Sequence, residues 1–219
     1  GAMGFPFVGP HAIGREMVAL AQLAAALGAR ALERAGLYGE ERAAREGLER
    51  IARLAPLFAA ASPAEIAAAV CREARDTLGA DVAQIWSTVD RETFAVTWRD
   101  PPADLVPPGA TIAFHELPGL RRALDRVETM FVSDAQRELQ GQALAHAVAL
   151  GVHSSLRVPI AIGGTAQRVL VFQWERVVAE PSPAMLLLAR RLADQAGLAL
   201  EHAERRLAES AEHAARTRA

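Results

Sequence analysis

Gly151-Val-His-Ser-Ser-Leu-Arg-Val-Pro-Ile-Ala-Ile-Gly-Gly-Thr-Ala-Gln-Arg-Val-Leu-Val-Phe-Gln-Trp-Glu175 is the stretch whose pattern decides the fold. Two runs rich in Val, Ile and Leu flank Gly163-Gly164. Gly-Gly between alternating runs predicts a hairpin, because primed turns need positive φ. Period-two alternation puts Leu156, Val158, Leu170, Phe172 and Trp174 on one face and Ser155, Arg157 and Gln173 on the other. The first face suits packing against helices. The second carries polar groups at regular intervals along mid-sheet strands. Such a face either floors a small-molecule pocket or is simply wet.

Working outward, residues 129–133 predict a strand and about 135–150 a helix ending at Gly151. A second hairpin is predicted earlier, Val82–Val89 and Thr93–Trp98, turning at Asp90-Arg91-Glu92. Pro101-Pro102 and Pro107-Pro108 mark a surface loop. A short strand near 111–115 and a helix over about 119–127 follow. Ser62-Pro63-Ala64-Glu65 reads as a helix start, with Ser62 as N-cap, Pro63 at the first helical position and Glu65 closing a capping box. That helix stops at Gly79, with Ile66, Val70, Ala74 and Leu78 as its apolar stripe. Residues 11–46 form one long helix or two abutting ones, and 47–61 keep helical spacing. Pro181-Ser182-Pro183 opens a closing helix to about residue 215.

The closing helix echoes the opening one: Met17–Ala35 and Met185–Ala203 share eight of nineteen positions. Either two Ala-rich amphipathic helices resemble each other, or 11–46 is the last helix of a preceding domain of the same type. On the closing helix Leu188, Leu192, Gln195, Ala199 and His202 have the spacing of helix–helix contact. Leu200, Ala203, Leu207 and Ala211 carry a second apolar line onward.

Composition narrows the chemistry. The 219 residues are 51% hydrophobic and 23% charged, with net charge −2, which offers no basic field for nucleic acid. The apolar stretches 17–36 and 54–71 are broken by charge and proline, so no membrane span is expected. Gly1–Gly4 has the look of a cloning remnant and no signal peptide follows it. The single cysteine, Cys71, fits a reducing, cytoplasmic setting and a small apolar core position. All 24 basic residues are Arg, and Asn is absent as well. Without Lys there is no P-loop or Schiff-base lysine. CxxC, HExxH and GxSxG are also missing. The chain is therefore not expected to be an enzyme.

The order of elements, together with Leu78-Gly-Ala-Asp81 entering Val82-Ala-Gln-Ile-Trp86, Val132-Ser-Asp134, and Gly151-Val-His-Ser-Ser-Leu-Arg-Val-Pro-Ile160, resembles the GAF domain family over about residues 48–205. The resemblance implies an α+β fold: a six-stranded antiparallel sheet with helices on both faces and long terminal helices. The first, second and last helices would cover one face, and short helices and loops would roof a pocket on the other. It implies residues 5–46 as a helical linker, 47–205 as the domain and 206–219 as a signalling helix. GAF domains are sensory and dimerising modules upstream of kinase, phosphatase, cyclase or transcription-activating domains. An effector in cis, beyond this chain, is implied.

By the same resemblance to bilin-binding members, ligand-facing positions fall on Gln84, Trp86, His146, Ser155, Arg157 and Gln173. The parity agrees with the alternation read above. The cyclic-nucleotide motif needs Asn and Lys, which this chain lacks. Covalent bilin attachment needs a Cys near Ala143-Leu-Ala-His146, where none stands. Haem remains open through His146 or His153, and no cofactor is assigned. Arg157, inward on a central strand, must be paired, since an isolated buried charge is very costly. Its partner is a ligand carboxylate or phosphate, or a structural acid such as Asp134 or Glu138. Trp86 is a pocket wall or a core residue. His146 orients a ligand, binds iron or is an ordinary satisfied histidine. Two functions stay open: a module sensing an unidentified small molecule, and a ligand-free dimerisation module. Either is expected to form a homodimer through residues 11–50 and 183–212.

Overall fold

The computed structural model describes residues 14–102, 107–162 and 164–218. The expected cloning remnant, the start of the opening helix, part of the proline loop and Gly163 lie outside them. Among the described residues, no helix is long and apolar enough to cross a membrane. No group of His, Cys, Asp and Glu there is placed to hold a metal ion.

Internal contacts divide the chain after Arg45. Helix α1, Arg15–Phe58, is continuous through that point. Up to Arg45 its described side chains are almost all exposed.

The part from Glu46 is built on one six-stranded antiparallel sheet in the order β3-β2-β1-β6-β5-β4. The strands are β1 Val82–Thr88, β2 Thr93–Asp100, β3 Thr111–Ala113, β4 Met130–Val132, β5 Ser154–Ile162 and β6 Thr165–Trp174. The expected hairpin is present: Leu156 faces Phe172 and Val158 faces Leu170 across β5 and β6. Gly164 in its turn has φ 84°, a conformation that favours glycine. In the first hairpin, Asp90 Oδ1 accepts the N–H groups of Glu92 at 2.7 Å and Thr93 at 2.8 Å. That side chain closes the turn together with the backbone bond from the Val89 N–H to Thr93 O at 3.0 Å.

One sheet face carries the main core. Ile51, Leu54 and Phe58 from the end of α1, α2 (Pro63–Leu78) and α6 (Pro183–Arg218) pack on Ile85, Leu156, Val158, Leu170, Phe172 and Trp174. The box at Ser62 is formed: its side chain accepts from the Glu65 N–H, and the Glu65 carboxylate accepts from the Ser62 N–H at 2.7 Å. The Ser62 N–H and the Ser62 hydroxyl, both donating to that carboxylate, hold the Glu65 carboxyl below its ordinary value. Gly79 caps the helix in the left-handed region, φ 59°. Cys71 is buried in this core, and burial pushes its thiol up, so it is not a nucleophile at neutral pH.

Three expectations are corrected. The strand near 111–115 ends at Ala113, because Phe114–Glu116 turn into a short 3-10 helix. The Phe114 N–H goes to Glu92 O at 2.8 Å and its ring lies 4.3 Å from that of Phe94. The helix over 135–150 is two pieces, α4 Ala135–Glu138 and α5 Gly141–Ala149. Leu139 and Gln140 between them are extended, and Gly141 takes φ 57°. Finally, Leu188, Leu192 and Ala199 are buried in the core that α6 shares with α1, α2 and the sheet, so the helix contact that their spacing predicts is made inside the domain and they are not free for a second copy. What α6 exposes instead is Leu187, Leu198 and Leu207.

Candidate ligand-binding site

The second sheet face is covered by α3 (Pro118–Arg126), α4 and α5. Between them and the sheet lies a partly open hollow of about 90 Å³. All six expected positions reach it. Gln84 and Trp86 come from β1, Ser155 and Arg157 from β5, Gln173 from β6 and His146 from α5. The wet-face alternative for this side of the sheet is therefore set aside. Alternation places the residues in between, such as Leu156 and Phe172, in the core behind.

The walls are apolar. Leu117, Leu120, Leu139, Leu150, Val152 and Val171 contribute most of them. Trp86 serves both readings made of it: it packs edge-on against Phe94, ring centroids 6.5 Å apart, and it borders the hollow. Leu139, in the break between α4 and α5, and His146 on α5 both line the hollow.

The polar groups are few and mostly unpartnered. Ser155 is 4% exposed, and among the described residues its hydroxyl has no hydrogen bond. His146 Nδ1 is buried without a partner. Arg157 is half-buried. Burial pushes its guanidinium down to about 10, with Glu138 opposing that shift and Arg122 adding to it. It stays charged at neutral pH. The structural acids weighed for it do not bind it directly. Glu138 Oε1 is held by Ser133 N at 2.8 Å, Ser133 Oγ at 2.6 Å and Asp134 N at 3.0 Å. Asp134 caps α4 through the Gln136 N–H and pairs with Arg137. Glu138 acts on Arg157 only through space.

Gly119, in the first turn of α3, makes room for that guanidinium. A Cβ there would meet Arg157 Cζ at 2.9 Å, and Nη1 nearer still. Gly119→Ala should therefore move the Arg157 head away from α3 while leaving the fold intact. The Arg157 Nε–H resonance would report it. An unchanged resonance would show that the guanidinium does not need that space.

Sequence reading missed Arg99. It is 6% exposed, and its Nη1 donates to Gln84 Oε1 at 3.0 Å and, at long range, to Gln173 Oε1 at 3.5 Å. Burial lowers its pKa, opposed by Glu175. Simple alternation from Phe94 and Val96 puts Arg99 on the helix side. A bulge shifts the parity: Trp86 faces Val96 but Ile85 faces Trp98, which leaves Thr97 as the extra residue. Arg99 thus comes opposite Gln84 on the hollow's side.

A model of one family, described as GAF domain, matches residues 60–201. The chain belongs to the GAF domain family. Solved GAF domains share its fold. That of a phosphoenolpyruvate-protein phosphotransferase from Coxiella burnetii is 20% identical, with TM-score 0.60 over 77% of this chain and 96% of that one. The phycoerythrobilin-bound GAF domain of a cyanobacterial phytochrome is 18% identical, with TM-score 0.59 over 75% and 97%. A domain of a putative two-component sensor histidine kinase from Sinorhizobium meliloti is 16% identical, with TM-score 0.53 over 67% and 95%. The comparison with curated proteins returned no match. GAF domains are sensory and regulatory modules rather than catalysts as a rule.

A bound tetrapyrrole does not fit this site. Pockets for drug-sized ligands run to roughly 300–1,000 Å³, several times the volume present here. His153, the other candidate iron ligand, is not among the lining residues.

Proposed function

We propose that this GAF domain senses a small molecule in the hollow and passes its occupancy to the terminal helices of a homodimer, which control an effector in cis. The observation that carries this reading is the convergence of unpartnered polar groups on one partly open, otherwise apolar cavity. Ser155, Arg157 and His146 all line it, and the Nδ1 of His146 is buried without a partner. Buried polar groups are nearly always satisfied, so a set left over at one place points to a ligand.

The route outward is short. Ser155 and Arg157 border the hollow, while Leu156 between them and Val158 beyond them lie in the core shared with α2 and α6. A shift of β5 by a ligand moves both faces at once. The ligand regulates only if it binds one helix arrangement better than another.

The chain as purified is expected to carry or accept a small molecule. Native mass spectrometry together with melting temperatures across a metabolite library checks this. Expected results are a bound mass or a stabilised melt, and loss of either in Ser155→Leu, which fills the site. A chain that binds nothing and melts alike in every condition favours the second reading, a ligand-free dimerisation module. The small volume of the hollow and the long exposed apolar run on α1 are what support that alternative.

A further inference from the structure

The hydrogen-bonding sense of the hollow follows from a residue outside it. Arg99 does not line the cavity, yet it bonds two side chains that do. A guanidinium has donors only, so the amide oxygens of Gln84 and Gln173 must be the atoms turned toward it. What those two side chains have left for a ligand is their NH2 groups. The Ser155 hydroxyl can donate, and Arg157 can only donate. No Asp or Glu lines the cavity, and Arg157 is its one charged lining residue. Glu138, the acid that acts on Arg157, has Oε1 committed to three donors of its own loop. The Ser155 hydroxyl and a His146 ring nitrogen are the side-chain acceptors left at the lining, and no carboxylate joins them, so the positive charge of Arg157 has no anionic partner in the cavity.

We propose that the hollow is an anion site, taking a small molecule that bears a carboxylate or phosphate group, and that Arg99 is the positioning residue that sets this preference. The proposal rests on reading the hollow as a ligand site. It adds the ligand's charge and its size. At about 90 Å³, below the ~150 Å³ of an engineered cavity that admits benzene, the site suits an acid of a few heavy atoms. Arg157 would hold the anionic oxygens, with Ser155 and the Gln84 amide adding donors. Apolar walls such as Leu120 and Val171 would cover the remainder.

The test uses the full chain and two matched probe sets at constant ionic strength. Oxalate, malonate and inorganic phosphate are the anions; oxamide and malonamide are the neutral counterparts. Binding is read from the side-chain N–H resonances of Arg157, Gln84 and Gln173. At least one anion should shift all three saturably, at least tenfold more tightly than either diamide. Arg157→Gln should lose that tenfold preference. Arg99→Met, which frees both glutamine amides to turn, should narrow the anion-to-diamide ratio, and Arg99→Lys, still a pure donor, should restore it. A merely structural role for Arg99 would weaken both probe sets alike. Diamides binding as well as anions would overturn the anion assignment and leave a ligand site standing. Silence of these resonances toward every probe would overturn the assignment and count against the sensing reading too.

Discussion

Trp174→Ala is expected to lower the melting temperature by roughly 6–20 °C, from a core loss of about 3–5 kcal/mol at about 2–4 °C per kcal/mol for a domain of this size. Trp174 ends β6 and is 1% exposed. Its Nε1–H donates to the Gly79 carbonyl at 2.9 Å, where α2 stops. The indole thus fills core volume and satisfies a carbonyl of the helix end. Truncation leaves a cavity and an orphaned acceptor together. Trp174→Phe keeps most of the bulk and loses only the donor, so it should cost about 1–3 kcal/mol. Leu57→Ala is the control. Leu57 is 66% exposed, and such changes stay within about 0.5 kcal/mol. A Trp174→Ala melt indistinguishable from that of Leu57→Ala would show that this corner does not hold the domain together.

The elements with strong local signals were readable in the sequence. The Gly163-Gly164 hairpin, the box at Ser62 and the stop at Gly79 each rest on residues within four positions of one another. Short-range stereochemistry decides such features. The helix over 135–150 failed for a related reason. Its composition is helical throughout, but Glu138 turns back onto Ser133 and Asp134, and the chain leaves the helix at Leu139. That local closure, with the Ala135 N–H tied to His153 O at 2.7 Å, outweighs propensity.

Alternation along β5 and β6 placed Ser155, Arg157 and Gln173 on the side away from Leu156 and Phe172, and that parity holds. The same rule misplaced Arg99, because nothing in Thr93–Asp100 announces an extra residue at Thr97. A lone Arg ahead of Asp-Pro reads as a solvated strand end. Only pairing with β1 shows it opposite Gln84. The stripe on α6 was ambiguous in kind. Leu188, Leu192 and Ala199 have a spacing that serves a contact within the domain as well as one with a second copy, and the core shared with α1, α2 and the sheet claims them.

The dimer proposed above consequently leans on α1. Between Arg15 and Arg45, Met17, Val18, Leu20, Leu23, Leu27, Leu32, Leu37 and Tyr38 are all exposed, Leu20 at 68% and Leu27 at 58%. A helix carrying so much uncovered apolar surface calls for a partner. Met17, Leu20, Ala24, Leu27, Ala31 and Tyr38 fall on the alternating three- and four-residue spacing of a coiled-coil seam. Arg34 interrupts it, lying 6.0 Å from the Tyr38 ring centre. Leu20→Glu with Leu27→Glu would place four carboxylates on the joint seam of two copies. Losing four buried leucines, at about 1.5–3 kcal/mol each, is worth at least a thousandfold in dissociation constant at about 1.4 kcal/mol per tenfold. Sedimentation equilibrium should show a dimer for the parent chain and a monomer for the double variant. Leu32→Glu, off the seam although Leu32 is 76% exposed, should leave the dimer in place. A parent chain that sediments as a monomer with full helical signal would remove the dimer and the outward route together. It would leave the hollow and its polar groups to be judged by ligand binding alone.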